Sequence, residues 1–176
     1  MKLIQAKKLS YDWQHKRRYK DIKYIVIHNT ANKGDTALGN CNFFAHTNTR
    51  QAGAHIFGDQ KGKFLRSVRM NRTAWSVGGF VTQKNGAGKY YGKCTNYNSV
   101  SIELCDIVNK KPSKAMLKGL KRTIKYIQRW CPNATTIIRH WDVNGKNCPA
   151  IMDGRDNKVW NDLLKYLGYK KGKKIK

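Results

Sequence analysis

The feature that most constrains the fold is a short apolar run, Tyr24–Ile27, that ends in His28. The run is continuous and rich in β-branched residues, which predicts a central strand buried on both faces. The polar segment that follows, from Asn29 to Gly34, predicts a turn. In α/β proteins, functional residues tend to follow strands of this kind. The histidine therefore has two interpretations, as a functional group or as a core or rim residue that satisfies a hydrogen bond.

A second histidine follows a second short strand late in the chain. Thr136–Arg139 predicts a strand that delivers His140, and Cys148 follows in a polar loop. Two imidazoles and one thiolate leave the fourth position of a tetrahedral zinc open, as in catalytic zinc sites. Zinc in such a site lowers the pKa of bound water to about 7 and polarises a carbonyl, and amide hydrolysis needs both effects. The alternative for Cys148 is a small buried apolar residue.

Amide hydrolysis also needs a base and a group that stabilises the oxyanion. The segment Ser99–Leu104 predicts a third strand, in which Glu103 points away from the apolar face. We consider Glu103 the candidate base and Lys146, just before Cys148, the candidate electrophile. The alternatives are a solvated or ion-paired carboxylate and an ordinary surface lysine.

The remaining apolar patterns predict a hairpin and three helices. Asp35 and Thr36 can cap the first helix, the second begins near Ser113, and the last begins near Arg155. The first helix should bury one face, which carries Ala37, Leu38, Cys41, Phe44 and Ala45. Residues 53–67 predict the hairpin, and residues 76–98 predict a long surface loop.

At 176 residues the chain is long enough for one domain with its own core. We divide it into a basic N-terminal arm (1–22), a central domain (23–168) and a basic tail (169–176). The arm has Trp13 as its only bulky anchor, and we expect the tail to be mobile. No repeat or second domain is predicted, and we expect a monomer.

Five cysteines, an odd number without a Cys-x-x-Cys pair, do not resemble a disulfide framework. This cysteine usage favours a reducing cytosol. The first residues lack the apolar core of a signal peptide, and no run is long enough to span a membrane. We therefore expect a protein made in the cytoplasm that reaches any external target by another route.

The charge is unusual for a single domain. The chain has 36 Lys and Arg against 10 Asp and Glu, a formal net charge of +26. Repulsion of this size should cost stability, so we expect it to serve binding to a polyanion. Nucleic acid, anionic cell-wall polymers and membrane surfaces are the candidates.

Five segments together carry a family resemblance. They are Tyr24–Ala31, Gly53–Ile56, Ala74–Trp75, Asn98–Glu103 and the motif from Arg139–His140 to Lys146–Pro149, in this order. The chain from about residue 22 to about 166 resembles the zinc-dependent N-acetylmuramoyl-L-alanine amidases of the phage-lysin and peptidoglycan-recognition-protein family. The family fold is a mixed central sheet with helices on its faces, in agreement with the α/β prediction above.

The resemblance implies a role for each matching residue. It implies one zinc ion on His28, His140 and Cys148, Glu103 as general base and Lys146 as the group that steadies the oxyanion. Contacts to substrate are expected from Asn29, Thr30, His55, Trp75 and Asn98, with packing as the other interpretation of His55.

Three positions depart from the family pattern. Asn29 stands where many members have a second histidine, and Ala54 stands where some have a catalytic tyrosine. The base must therefore be Glu103. The stretch Ala74–Gly78 reads Ala-Trp-Ser-Val-Gly where the family has Ala-Trp-His-Ala-Gly, which affects contacts to substrate in that loop.

The resemblance implies an enzyme that cuts the amide between N-acetylmuramic acid and L-alanine in peptidoglycan. We expect a phage or prophage endolysin or an autolysin, which acts on the wall after release and binds anionic wall polymers through its charge. One alternative is a peptidoglycan-binding module without activity, against which the presence of Cys148 and Glu103 argues. Another is a nucleic-acid-binding protein, although no recognised nucleic-acid motif is present.

Overall fold

We describe the fold from a computed structural model. The structure describes residues 1–79, 87–152 and 157–176. Their strands are β1 (Tyr11–Asp12), β2 (Tyr24–Asn29), β3 (Ile56–Gly58), β4 (Phe64–Arg66), β5 (Thr73–Ala74), β6 (Ser99–Leu104) and β7 (Thr136–Arg139). Their α-helices are α1 (Ala37–Asn42), α2 (Lys114–Trp130), α3 (His140–Asn144) and α4 (Lys158–Leu167).

The main sheet has the strand order β4–β3–β6–β2–β7. Strand β2 is parallel to both β6 and β7, β3 is parallel to β6, and β3 and β4 form the predicted antiparallel hairpin. Strands β1 and β5 make a separate antiparallel pair. This single domain with a mixed sheet and flanking helices confirms the predicted fold class.

Strand β2 lies in the interior of the sheet because its sequence can be buried on both faces. Its residues from Ile25 to Asn29 are buried, between β6 on one side and β7 on the other. Parallel strands that are covered on both faces have continuous apolar sequences, and β2 has such a sequence. The order of strands therefore places the ends of β6, β2 and β7 side by side.

Helix α2 closes one face of the sheet with an amphipathic stripe. It begins after Ser113, whose hydroxyl accepts a hydrogen bond from the Met116 backbone N–H at 3.0 Å. Its buried apolar residues are Met116, Leu120, Ile124 and Ile127, which join the main core. Helix α4 packs on the same core and ends at Gly168, whose φ of 66° is left-handed. The predicted helix start near Arg155 lies outside the described residues.

Helix α1 is shorter than predicted and continues as a π-helical turn, Phe43–Thr47. Thr36 caps it as expected, since its side chain accepts a hydrogen bond from the Gly39 N–H at 3.1 Å. Ala37 and Cys41 are buried, but Leu38 is 41% exposed, so its predicted place on the apolar face is wrong. The narrow stripe of a two-turn helix leaves Leu38 on the outer side.

The N-terminal residues pack along the domain. The Ile4 N–H donates to the Arg66 carbonyl at 2.8 Å, and β1 pairs with β5. Ile22 is fully buried, whereas Trp13 is 46% exposed. The prediction that Trp13 anchors this segment is therefore wrong, because backbone hydrogen bonds and Ile22 hold it.

The C-terminal tail also contacts the domain, contrary to the predicted mobile extension. The hydroxyl of Tyr169 accepts a hydrogen bond from the Ile137 N–H at 3.2 Å. The Ile175 N–H donates to Gln128 Oε1 at 3.0 Å, and Ile175 is 7% exposed. Tyr169 and Ile175 therefore pack with the main core, although lysines surround them in the sequence.

Three further predictions can be compared with the structure. All five cysteines are free and buried. Within the described residues, no helix is long and apolar enough to cross a membrane. Of the loop predicted over 76–98, residues 80–86 lie outside the described residues, and the parts on either side contain no helix or strand.

Candidate metal and active site

Three side chains meet at the carboxyl end of the sheet. His28 is the last but one residue of β2, His140 is the first residue of α3 after β7, and Cys148 lies in the following loop. One ligand atom from each lies within 4.8 Å of the others, and all three residues are buried. The two imidazole rings are 4.6 Å apart between centroids, and Cys148 Sγ is 3.7 Å from His28 Nδ1. The structure therefore brings together the three predicted zinc ligands.

The parallel register explains why the two histidines meet. Ile27 of β2 pairs with Arg139 of β7, and a histidine follows each of these two residues, so both histidines lie at the same edge of the sheet. The guanidinium of Arg139 donates to the Met152 carbonyl at 2.6 Å and to Asp142 Oδ1 at 2.8 Å. These bonds fix the start of α3 and with it the position of His140.

The cysteine is brought back by a short loop. Gly145 ends α3 with a φ of 80°, which turns the chain toward the strand ends. The Trp141 N–H donates to the Cys148 carbonyl at 2.9 Å. The Asn29 N–H lies 3.4 Å from Cys148 Sγ, and Asn29 Oδ1 accepts from the Ala150 N–H at 3.1 Å. Asn29 thus holds the loop that carries the thiol.

The imidazole nitrogens of this cluster lack the partners that buried polar atoms usually have. Within the described residues, His28 Nε2 and both ring nitrogens of His140 make no hydrogen bond. Because buried polar groups without partners cost about 1–3 kcal/mol each, this arrangement indicates a ligand. Two imidazoles and a thiol with converging atoms form a donor set that suits zinc.

Electrostatics keep the two imidazoles neutral. Burial lowers the pKa of His28 well below its usual value, and the charges of His140 and Lys146 lower it further. Burial and Lys146 lower the pKa of His140 to about 4. Burial and nearby Glu103 raise the pKa of the Cys148 thiol to about 12. Neutral imidazoles offer lone pairs to a cation, and binding one must displace the thiol proton.

Glu103 faces the same cluster from the neighbouring strand. It pairs in register with His28, and its Oε1 lies 3.9 Å from His28 Nδ1. This contact is not an ion pair, since His28 is neutral. Burial raises the pKa of Glu103 to about 7, Lys146 opposes the shift, and Asp35 adds to it. A carboxyl group with this pKa can both accept and return a proton near neutral pH.

A cavity of about 570 Å³ opens over these groups. Lys146, Asn29, Thr30 and Trp75 line it together with the three candidate ligands and Glu103. Lys146 is exposed, and its charge acts on the pKa of both histidines. The cavity therefore combines an acid–base group, a cation and a set of metal donors.

Two of the predicted substrate contacts lie elsewhere. His55 is fully buried and does not line the cavity: its Nδ1 lies 3.0 Å from Ser101 Oγ, and its Nε2 lies 2.8 Å from the Arg17 guanidinium. Asn98 shapes a turn, because its side chain donates to the Lys93 carbonyl and accepts from the Thr95 N–H, both at 2.9 Å. Both side chains make hydrogen bonds within the protein, and neither lines this cavity.

Other cavity residues were missed by the sequence analysis. Asn96 Oδ1 accepts from the backbone N–H groups of Ser76 and Val77, at 2.9 and 2.7 Å, and so shapes the rim beside Trp75. Further lining residues are Asn40, Arg50, Gln51 and Asn147. Only Asn147 stands inside a recognisable motif. The others come from loops whose composition gives no sign of a site.

Comparison with known proteins agrees with this geometry. Residues 18–151 match the family model described as N-acetylmuramoyl-L-alanine amidase. The chain is 29% identical over 158 residues to the N-acetylmuramoyl-L-alanine amidase CwlA of Bacillus subtilis (strain 168). This match covers 84% of the chain and 52% of CwlA, so the chain spans about half the length of that relative.

Solved structures show the same fold at lower identity. PlyL superposes with a TM-score of 0.71 at 17% identity, over 94% of this chain and 96% of that one. The endolysin N-acetylmuramoyl-L-alanine amidase LysCS from Clostridium intestinale URNW gives a TM-score of 0.61 at 18% identity, over 96% and 97% of the two chains.

Proposed function

The chain belongs to the N-acetylmuramoyl-L-alanine amidase family, and on that premise we propose that it cleaves the amide between N-acetylmuramic acid and the L-alanine of the stem peptide in peptidoglycan. The observation that carries this proposal is the convergence of His28, His140 and Cys148 with Glu103 in one cavity. Such a cavity holds the groups that amide hydrolysis needs.

We assign one zinc ion to His28, His140 and Cys148. When bound, zinc would supply Lewis-acid polarisation of the scissile carbonyl and a lowered pKa for water at the site. The unpaired imidazole nitrogens support this assignment, because they have no protein partner among the described residues. The Asn29 backbone N–H contacts the Cys148 sulfur, and contacts that orient a metal ligand typically change metal affinity 10- to 100-fold.

Glu103 is the general base in this proposal. Its carboxylate accepts a proton from the attacking water as the water oxygen bonds to the carbonyl carbon. It then gives that proton to the amide nitrogen as the carbon–nitrogen bond breaks. The products are the lactyl carboxylate and a free L-alanine amino group. A pKa raised to about 7 by burial suits both transfers.

Lys146 stabilises the negative charge that develops on the carbonyl oxygen. It lines the cavity, and its positive charge acts on the pKa of Glu103 as well as on both histidines. A cation already in place where charge develops lowers the barrier without reorganisation.

We further propose that the chain acts on the wall as an endolysin, or as an autolysin, and is held there by its charge. The exposed face of α2 carries Lys114, Lys118, Arg122, Lys125 and Arg129, and the helix has no acidic residue. Anionic wall polymers are the partners we expect. Binding to whole walls should fall steeply with salt, since exposed charges are screened within about 10 Å at 0.1 M. Binding that is unchanged by salt would contradict this part of the proposal.

Digestion of purified peptidoglycan followed by mass spectrometry tests the activity. The expected products are free stem peptides that begin with L-alanine, lost on chelation and restored by zinc. Glycan that keeps its stem peptides while the protein pellets with the wall would contradict the proposal. That result would identify a binding module instead.

A further inference from the structure

A second cavity, of about 230 Å³, adjoins the one that holds Glu103. Gln51 and Trp75 line both cavities, so these two side chains form a shared wall. The rest of the second cavity comes from the N-terminal segment, including Tyr11, Trp13 and Gln14. The N-terminal segment thus extends the lining of the catalytic cavity.

Backbone contacts fix this segment against the rim. Tyr11 pairs with Ala74, and the Trp75 N–H donates to the Ser10 carbonyl at 3.2 Å. The Gly53 N–H in turn donates to the Trp75 carbonyl at 3.0 Å. A Cβ atom on Gly53 would lie only 2.6 Å from the Ser10 carbonyl oxygen. The close approach shows that the segment and the cavity rim form one packed unit.

A tight turn holds Trp13 in place and leaves the residue half-exposed. Asp12 Oδ1 accepts hydrogen bonds from the Gln14 and His15 N–H groups, at 3.0 and 3.1 Å. The Arg72 guanidinium donates to the Trp13 carbonyl at 2.9 Å. Even so, Trp13 is 46% exposed. A large aromatic side chain fixed at the mouth of a cavity is a candidate contact for a ligand.

The charged groups of this cavity are already engaged. Lys8 Nζ lies 4.3 Å from the centroid of the Trp13 ring, and Asp12 Oδ2 lies 3.1 Å from His15 Nδ1. Besides these charged groups, the cavity is lined by the indoles of Trp13 and Trp75, the amides of Gln14 and Gln51, and the side chains of Leu9 and Tyr11. Apolar C–H faces of a sugar ring stack on indoles, and its acetamido groups hydrogen-bond with amides. The cavity therefore suits an uncharged N-acetylated sugar better than a charged peptide.

We propose that the second cavity binds an N-acetylated sugar of the glycan strand, beyond the sugar that carries the scissile amide. This proposal rests on the proposed function, because it assumes that peptidoglycan occupies the catalytic cavity. Trp13 then acts in glycan binding alone and takes no part in the chemical step.

Calorimetric titration of the full chain with the tetramer of N-acetylglucosamine tests the proposal without requiring catalysis. The wild-type chain should bind, and Trp13→Ala should weaken binding roughly tenfold, as expected for one stacked aromatic ring. Trp130→Ala is the matched control, since Trp130 is 50% exposed at the end of α2 and lines neither cavity. Its affinity should equal that of the wild-type chain.

Kinetics with substrates of different length provide the second readout. Trp13→Ala should raise KM for long glycan strands severalfold, with kcat unchanged, and should leave a single-disaccharide muropeptide unaffected. Absence of tetramer binding by the wild-type chain, or equal binding by Trp13→Ala, would overturn the proposal. A loss confined to peptide-linked dimers would also overturn it and would assign the cavity to the peptide. Failure of the proposed function would appear separately, as sugar binding without cleavage of any substrate.

Discussion

Two buried histidine sites belong to the same sheet region, with His28 in β2 and His55 directly before β3, and they differ in hydrogen bonding. His28 and His55 are both buried, and burial lowers the pKa of each well below its usual value. Around His55 each ring nitrogen has polar neighbours within 3.1 Å, supplied by Arg17, Arg72 and Ser101. Around His28 and His140, three of the four ring nitrogens have no hydrogen bond within the described residues.

Hydrogen bonding identifies which buried histidine is structural. Burial and the direction of the pKa shift are the same at both sites, so neither distinguishes them. Hydrogen-bond partners do, because a protein rarely leaves buried polar atoms unpaired without a ligand for them. The site around His55 is completed by the chain itself, and the site around His28 needs a further group.

The largest effect on catalysis is expected from Glu103, the carboxylate beside His28 and His140. Glu103→Gln should lower kcat about 10³-fold, because the amide cannot accept a proton from water. Zinc content and the unfolding temperature of the zinc-bound protein should stay close to wild type. Asp106→Asn is the matched control, since Asp106 follows the same strand but pairs with Lys110 outside the cavity. Full activity in Glu103→Gln would remove Glu103 from the mechanism.

A smaller loss is expected from the cation at this site. Lys146→Met should lower kcat about 10²-fold, as removal of one oxyanion-stabilising group does, with little change in KM. Lys118→Met removes the same charge from the exposed face of α2 and controls for the weaker attraction to the wall. Equal losses in the two variants would show that Lys146 acts only through net charge.

At His55, whose ring nitrogens both have polar partners, the expected effect is on the stability of the fold. His55→Ala should lower the free energy of unfolding by roughly 2 kcal/mol, because it removes the buried contacts that the imidazole makes with Arg17 and Ser101. Denaturant unfolding of the metal-free protein measures this change. Zinc stoichiometry should be unaffected. Loss of zinc in a folded His55→Ala protein would break the distinction between the two sites.

The sequence predicted the centre of the fold well, for physical reasons. The continuous apolar run of β2 can be buried on both faces only inside the sheet. The stripe of α2 and its Ser113 cap have strong periodic and local signals. Residues that follow parallel strands meet at one edge, so the meeting of His28, His140 and Glu103 followed from the strands themselves.

Features that depend on distant partners were not predictable in this way. His55 is satisfied by Arg17, Arg72 and Ser101, which come from three separate segments. Trp13 was expected to be an anchor, but the segment is held by backbone pairing that side-chain patterns do not reveal. Single apolar residues in a basic stretch, such as Ile175, also gave no periodic signal for their burial.

Zinc stoichiometry across matched variants tests whether His28, His140 and Cys148, and not His55, hold the metal. Elemental analysis of the wild-type chain, Cys148→Ser and His55→Gln, each purified and reconstituted with zinc in the same way, compares the two histidine sites. We expect one zinc per chain in the wild type and in His55→Gln, and a marked loss of zinc in Cys148→Ser. Zinc retained by a folded Cys148→Ser, or lost from a folded His55→Gln, would contradict it.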